Sequence, residues 1–174
     1  DKVSFVRYLG LYIDPQLSWN YQFDHVKSKI VPITGVLYRL RDLLPKSTLL
    51  AIYYAMIHSH LSYLTCIWGV ATKKQISELQ VVQNRALRNI LGIPWDTCVK
   101  DIYRQSNVLP FKVLPLYDIT VTIIKILKSS IHTNVEYHYN NDFHNYNTRS
   151  SENLHIKGFR STKFGRRSLS NVAQ

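Results

Sequence analysis

Basic side chains recur along the helices that the sequence predicts, in a pattern that favours contact with phosphate groups. The acidic side chains that usually intersperse such surfaces are few, with Asp24, Asp42 and Glu78 the ones in residues 18–42 and 73–91. A surface of one sign attracts a polyanion without reading its sequence, although the same residues would also serve a solubilising surface. The candidate phosphate-binding residues in the helical part of the chain are Lys27, Lys29, Arg39, Arg41, Lys73, Lys74, Arg85 and Arg88.

No motif for catalysis or metal binding is recognisable. The 11 acidic residues are scattered singly, whereas two-metal phosphoryl chemistry uses closely spaced carboxylates. His58 and His60 alternate within a predicted helix, so they should point to different faces, and no further ligand has a suitable spacing from them and from Cys66. Cys98 lacks an evident orienting group that would make it a nucleophile. We therefore expect no catalytic residue and no metal ligand.

Composition and charge narrow the class of protein. A chain of 174 residues with 45% hydrophobic residues can bury one core of ordinary size. Its net charge of +11 favours nucleic acid over an acidic protein as partner. Two cysteines exclude a disulfide scaffold and fit a reducing compartment. No apolar run reaches the roughly 18 residues that a bilayer requires, so we expect no membrane partner. Because the chain begins at Asp1 and its one methionine is Met56, we expect a piece of a longer protein.

The residue pattern predicts a mainly α fold that opens with a short β-strand or hairpin. Residues 3–13 are rich in β-branched and aromatic side chains and end at Asp14. Gly10 within them indicates a bulge or a close backbone approach. Ser18 is the expected N-cap of the first helix, and Pro32 should kink that helix or start a new turn.

Further helices follow from apolar residues spaced three and four apart. The clearest runs from Lys73 to Leu91, ends at Gly92, and should place Gln83 among its outward-facing residues. After residue 129 the apolar period is lost, and a cationic tail follows. The other predicted apolar segments follow Pro45 and span Leu61–Trp68, Cys98–Gln105 and Val113–Lys128.

Several short motifs occur in an order that is more specific than any one of them. They are Arg7 to Asp14 with Leu17-Ser18-Trp19, Leu37 to Arg41 with Leu44-Pro45, Leu50 to Tyr54, Tyr63, Ile67-Trp68-Gly69, and Leu79 to Arg88. In this order they resemble the primer grip and thumb of the reverse transcriptases of non-LTR retrotransposons, the LINE-like elements of the jockey type. The segments His144–Arg149 and Phe164–Ser168 resemble the basic C-terminal segment of these elements.

The resemblance implies a role for each part of the chain. It implies a primer-grip strand segment at 1–17, a three-helix thumb bundle at 18–93, a C-terminal helical extension at 94–130 and a basic, partly disordered tail at 131–174. The primer-grip residues would be Arg7, Tyr8, Leu9 and Gly10. The tail residues expected to bind nucleic acid are Arg149, Lys157, Arg160, Lys163, Arg166 and Arg167.

The same resemblance implies partners and a location. The palm aspartates of the family lie upstream of the primer grip, so Mg²⁺ is expected in that missing palm and no cofactor is expected in this segment. The expected partners are an RNA–DNA hybrid or other nucleic acid, and the upstream palm and fingers of the same polyprotein. The expected location is intracellular, in the cytoplasm and nucleus.

Alternative functions stay open at this point. If the function of the family applies to this chain, the chain would bind a template–primer without catalysing primer extension. It could instead be a basic nucleic-acid-binding module retained by a host. A helical protein-interaction domain whose charge meets an acidic partner is the third possibility.

Overall fold

The chain is mainly helical and opens with a two-stranded antiparallel hairpin, which confirms the predicted fold class. This computed structural model describes residues 4–69, 71–128, 138–143, 146 and 148–153. The chain divides into two compact units, Asp1–Pro115 and Leu116–Gln174. The finer division into four functional segments stays a prediction.

The helices lie close to their predicted positions. The helix predicted at Lys73–Leu91 has these bounds, because Thr72 and Gln75 form a capping box at its start and Gly92 ends it with φ +68°. In chain order the helices are α1 Asn20–Leu40, α2 Lys46–Tyr53, α3 Ser59–Ser62, α4 Thr65–Trp68, α5 Lys73–Leu91, α6 Val99–Ser106 and α7 Leu114–Lys128, with a π-helical segment at Tyr54–His58 between α2 and α3.

The N-terminal hairpin consists of β1 (Val6–Tyr8) and β2 (Leu11–Ile13), with Tyr8 paired to Leu11 across a two-residue turn. Leu9 and Gly10 form this turn with φ +46° and +81°. Positive φ at both central residues defines the type I′ turn, which matches the twist of the flanking strands. The Tyr63 hydroxyl donates a hydrogen bond of 2.8 Å to the Leu9 carbonyl oxygen and so holds the tip of the hairpin.

The connection from β2 to α1 is organised by the buried carboxylate of Asp14. This carboxylate accepts hydrogen bonds from the backbone N–H groups of Gln16, Ser18 and Trp19 at 3.0–3.1 Å, and from the Ser18 hydroxyl. Burial alone would raise the pKa of Asp14, but these hydrogen bonds hold it below its usual value. The expectation that Ser18 caps α1 is wrong, because Asp14 binds this segment and Trp19 occupies the N-cap position with φ +62°.

Helix α1 is continuous from Asn20 to Leu40 across Pro32, so no new helix starts at this proline, and the kink expected there stays a prediction. Pro32 and Ser28 are both exposed. The carbonyl of Ser28, which loses its usual N–H partner to proline, can therefore be hydrated at low cost.

Three helical segments form the bundle of the first unit: α1, α5, and the nearly continuous run from α2 through the π-helical segment to α3. Helices α1 and α5 run parallel, because Gln75 contacts Asn20, Glu78 contacts Lys27 and Asn89 contacts Thr34. The apolar side chains buried between these segments are Phe23, Val26, Ile30, Leu37, Leu49, Tyr53, Ile57, Leu61, Leu79, Ala86, Leu87 and Ile90.

Gln83 lies at the centre of this bundle, and its predicted outward orientation is wrong because it is fully buried. Its amide nitrogen donates to the Tyr53 hydroxyl at 2.8 Å and to the Leu109 carbonyl at 2.9 Å. Its amide oxygen accepts from the Phe111 N–H at 2.6 Å and from the Tyr103 hydroxyl at 2.9 Å. The two N–H donors and the oxygen of the amide therefore all have hydrogen-bond partners. Its burial leaves no polar group unsatisfied.

The described part of the second unit contains the remainder of α7 and a short 3₁₀ turn at Asn140–Asp142. Backbone hydrogen bonds of 3.0 Å join Asn140 to Asn153 and Asn141 to Ser151. Among the residues described in both units, no helix combines the length and apolar character that crossing a membrane requires.

The buried amide of Gln83 gives the first prediction. Gln83→Leu should lower the free energy of unfolding by about 3 kcal/mol, because it leaves the Tyr53 hydroxyl, the Leu109 carbonyl and the Phe111 N–H without partners. Urea denaturation followed by circular dichroism measures the change. The matched control is Gln105→Leu on the exposed side of α6, which should change stability by less than about 0.5 kcal/mol. Equal stability of the two variants would contradict this account.

The hairpin turn gives a second prediction through a pair of glycines. Gly10→Ala should lower the free energy of unfolding by about 1 kcal/mol, since φ is +81° at Gly10. Gly35→Ala should raise it by about 0.5 to 1 kcal/mol, because Gly35 lies within α1 and a Cβ there meets nothing within 4 Å. The same denaturation assay measures both variants. A shift of the same sign in both would show that backbone conformation does not determine the effect at Gly10.

Candidate nucleic-acid interface

A cluster of basic side chains from three elements lies beside the hairpin. We call it the hairpin cluster: Arg7 from β1, His25 and Lys29 from α1, and His60 from α3. The Arg7 guanidinium lies 5.7 Å from the centre of the Tyr12 ring. The ring centre of His25 lies 4.7 Å from that of Tyr12. The structure thus brings together two predicted site residues, Arg7 and Lys29, from distant parts of the sequence.

The pairing register explains how the hairpin comes to lie against α1. Arg7 pairs with Tyr12 across the two strands, so both side chains project from the same face of the hairpin. The Tyr12 N–H donates a hydrogen bond of 3.1 Å to the buried Gln22 side chain of α1. Phe5 adds ring contacts with Tyr12 and Tyr21, at centroid distances of 5.4 and 4.7 Å. The hairpin is therefore anchored on the helix that supplies His25 and Lys29.

The charges of the hairpin cluster act on one another. Partial burial of His25 lowers its pKa from 6.5, and the neighbouring positive charges of Lys29, Arg7 and His60 lower it further. Like charges this close disfavour protonation of the imidazole. The cluster is consequently a place where a phosphate would relieve repulsion.

The side chains at the tip of the hairpin are exposed. Tyr8 and Leu9 are 63% and 67% exposed, although both are large and apolar. The positive φ of Leu9 is the one that a type I′ turn requires at its first central residue. Gly10 is explained by its own positive φ, and a Cβ there would meet the Tyr63 ring at 3.6 Å. That Gly10 leaves room for a nucleic acid stays a prediction.

A second group of basic side chains lies on α5, away from its buried side. Lys74, Val81, Arg85 and Arg88 follow one another at helical spacings of seven, four and three, so they share one stripe of the helix. We call this stripe the α5 outer face. Lys73 and Lys74 occupy the first turn, where no acidic residue is present. Since the helix dipole disfavours positive charge at this end, helix stability does not account for the two lysines.

Other predicted phosphate-binding residues are not part of either group. Lys27 forms an ion pair of 3.0 Å with Glu78, which holds the pKa of Glu78 below its usual value. It lies two residues from Lys29, roughly 200° around the helix axis, so the two lysines point in different directions. Arg41 stacks over the Tyr38 ring at 4.3 Å and contacts Asp42 at 3.3 Å.

The remaining predicted residues are spread over the end of α1, the second unit and the tail. Arg39 is exposed in the last turn of α1. Arg149 is exposed in a turn of the second unit. Five predicted tail residues lie outside the described residues: Lys157, Arg160, Lys163, Arg166 and Arg167.

Sequence reasoning missed two residues of the hairpin cluster, His25 and His60. His25 stands four residues before Lys29, a spacing that places both on one side of a helix and could have been noticed. His60 lies far from these residues in the sequence, so local spacing gives no signal that would group it with them. Within the described ranges, no group of three His, Cys, Asp or Glu side chains could hold a metal ion.

The low pKa of His25 gives a third prediction. An unfolded histidine takes up a proton as the pH falls through about 6.5, whereas folded His25 takes it up only at lower pH. The unfolded state then binds more protons, so the free energy of unfolding should fall as the pH drops below about 6.5. Lys29→Gln should raise the pKa of His25 and weaken this dependence. NMR titration of the His25 ring measures the pKa directly. A value at or above 6.5 in the unmodified chain would refute the claim that burial and the neighbouring positive charges lower the pKa of His25.

Three curated proteins of Drosophila melanogaster are similar to this chain. It is 31% identical over 114 residues to a probable RNA-directed DNA polymerase from transposon BS, a match that covers 62% of the chain and 12% of that protein. It is 24% identical over 106 residues to the RNA-directed DNA polymerase from mobile element jockey, covering 59% and 12%. It is 28% identical over 92 residues to a probable RNA-directed DNA polymerase from transposon X-element, covering 51% and 10%.

The other comparisons give no match. No family model matches the chain, and no solved structure matches it. The chain spans about an eighth of the length of the first two relatives and a tenth of the third. The three matches confirm the resemblance at the level of the whole enzyme: the chain is similar in sequence to RNA-directed DNA polymerases of non-LTR retrotransposons. Its assignment to their primer grip and thumb stays a prediction.

Proposed function

We propose that this chain is the template–primer gripping thumb and C-terminal part of a retrotransposon RNA-directed DNA polymerase, and that it is non-catalytic by itself. Its ligand would be an RNA–DNA hybrid, and its protein partner would be the upstream palm and fingers of the same polyprotein. Polymerisation, and the Mg²⁺ that it needs, would belong to that palm.

The observation that carries the proposal is the hairpin cluster beside an exposed hairpin tip. The hairpin cluster brings together four basic side chains from three elements: Arg7, His25, Lys29 and His60. The mutual repulsion of its charges opposes folding, so fold stability does not explain why these charges are grouped. In a chain related to polymerases, a nucleic-acid backbone is the polyanion that best accounts for it.

The arrangement of the cluster suggests how a strand would be held. Arg7 and Lys29 would contact phosphates, which fixes position without reading bases. The exposed rings and side chains of Tyr8 and Leu9 would pack against sugars of the terminal nucleotides. Tyr63 keeps the hairpin tip in place through its hydrogen bond to the Leu9 carbonyl. Such contacts ignore sequence, as a polymerase that copies many templates requires.

A fourth prediction tests this proposal through the salt dependence of binding. The purified chain should bind a labelled RNA–DNA hybrid with an affinity that falls as the salt concentration rises, because phosphate contacts release counterions. Arg7→Gln combined with Lys29→Gln should weaken binding and flatten the log–log slope by about one unit per lost contact. Fluorescence anisotropy over a series of salt concentrations measures both quantities.

The matched control removes the same charge elsewhere. Lys100→Gln combined with Arg104→Gln acts on exposed residues of α6 that belong to neither basic group, so it should leave the slope nearly unchanged. Equal slopes for the two double variants would exclude the hairpin cluster as the binding surface. An acidic polypeptide that displaces the hybrid at low concentration would favour the protein-interaction alternative.

A further inference from the structure

A cleft of about 600 Å³ lies along α5 and the segment that follows it, apart from the hairpin cluster. Two arginines and a tryptophan form its polar and aromatic walls, and no carboxylate is among the described residues that line it. The lining residues are Val81, Val82, Arg85, Arg88, Asn89, Ile93 and Trp95.

Trp95 is the most unusual of these residues, because 86% of its surface is exposed. Tryptophan is normally buried over most of its area, as Trp68 is in this core. The ring of Trp95 therefore adds nothing to the core, and its exposure has a cost in water. An aromatic face beside arginines is the usual platform on which a nucleobase stacks.

The backbone that carries Trp95 is fixed on both sides. Gly92 ends α5 with φ +68°, and the Thr97 N–H bonds to the Pro94 carbonyl at 3.3 Å. Arg88 donates a hydrogen bond of 3.1 Å from its guanidinium to the Thr97 carbonyl, which ties the turn to the helix. The Nε–H of Arg88 is buried and has no hydrogen-bond partner among the described residues. Arg88 thus positions the tryptophan, while Arg85 is exposed beside it.

We propose that this cleft binds an unpaired nucleobase of single-stranded RNA or DNA, which stacks on the indole of Trp95 while Arg85 contacts the adjoining phosphate. The inference rests on the proposed function, because a chain that grips a template–primer also meets the unpaired strand that continues from the hybrid. Val81 and Ile93 supply apolar contacts for the base edge. The absence of carboxylates from the lining suits a phosphate and disfavours a basic peptide.

The fifth prediction concerns the base rather than the charge of the ligand. The full chain is titrated with a labelled short oligothymidylate and with an abasic strand of the same length, which keeps the phosphates and lacks the bases. Trp95→Leu should weaken binding of the oligothymidylate about tenfold and leave abasic-strand binding unchanged. Trp95→Tyr should restore most of the affinity, since it keeps a stacking ring. A short oligouridylate in parallel shows whether RNA or DNA is preferred.

The outcomes separate this inference from the proposed function. A blunt RNA–DNA hybrid should bind Trp95→Leu as tightly as the unmodified chain. Suppose that the hybrid binds, but the unmodified chain binds the abasic strand as tightly as the oligothymidylate. The stacking site at Trp95 is then wrong, and the proposed binding of a template–primer is unaffected. If the chain binds neither hybrid nor single strand, both proposals fail. Circular dichroism of each variant confirms that the helices are intact, which the exposure of Trp95 leads us to expect.

Discussion

The buried amide of Gln83 fixes the orientation on which the rest of the structure depends. It bonds to Tyr53 of α2, to Tyr103 of α6 and to the backbone at Leu109 and Phe111. An amide with four directed bonds allows α5 only one rotation about its own axis. That rotation turns Arg85, two residues further along, away from the core. The position of the α5 outer face is thus a consequence of polar bonding inside the bundle.

The bounds of α5 and the hairpin could be predicted from the sequence, because the residue patterns that indicate them are local. Gly92 and the three-and-four spacing of apolar residues depend only on neighbours along the chain. Gln83 was misplaced because periodicity treats every glutamine as outward, and its partners lie 20 to 30 residues away in sequence. Ser18 was misplaced because the Asp14 carboxylate, four residues earlier, binds its backbone and side chain. Both errors arise where a buried polar group is satisfied by hydrogen bonds.

The candidate site was predictable in its charge and unpredictable in its grouping. The excess of basic residues is a property of composition, so it was visible at once. Lys27 is paired with Glu78, whereas Lys29 and Arg7 both act on His25, and this difference depends on the packing of α1 against α5 and the hairpin. Trp95 gave no periodic signal, because it lies in a turn after the helix and its exposure is a tertiary property. Residue type indicated the kind of ligand, and only the fold indicated where it would bind.

The repulsion within the hairpin cluster links stability to ligand binding. Arg7, Lys29 and His60 all oppose protonation of His25, so the folded chain holds like charges together at a cost in free energy. The buried core and the ring contacts of Phe5, Tyr12 and Tyr21 offset that cost. A polyanion bound at the cluster would remove the repulsion in the folded state alone, because the unfolded chain does not bring these residues together. By linkage, the same free energy then contributes both to affinity for the polyanion and to stability of the bound chain.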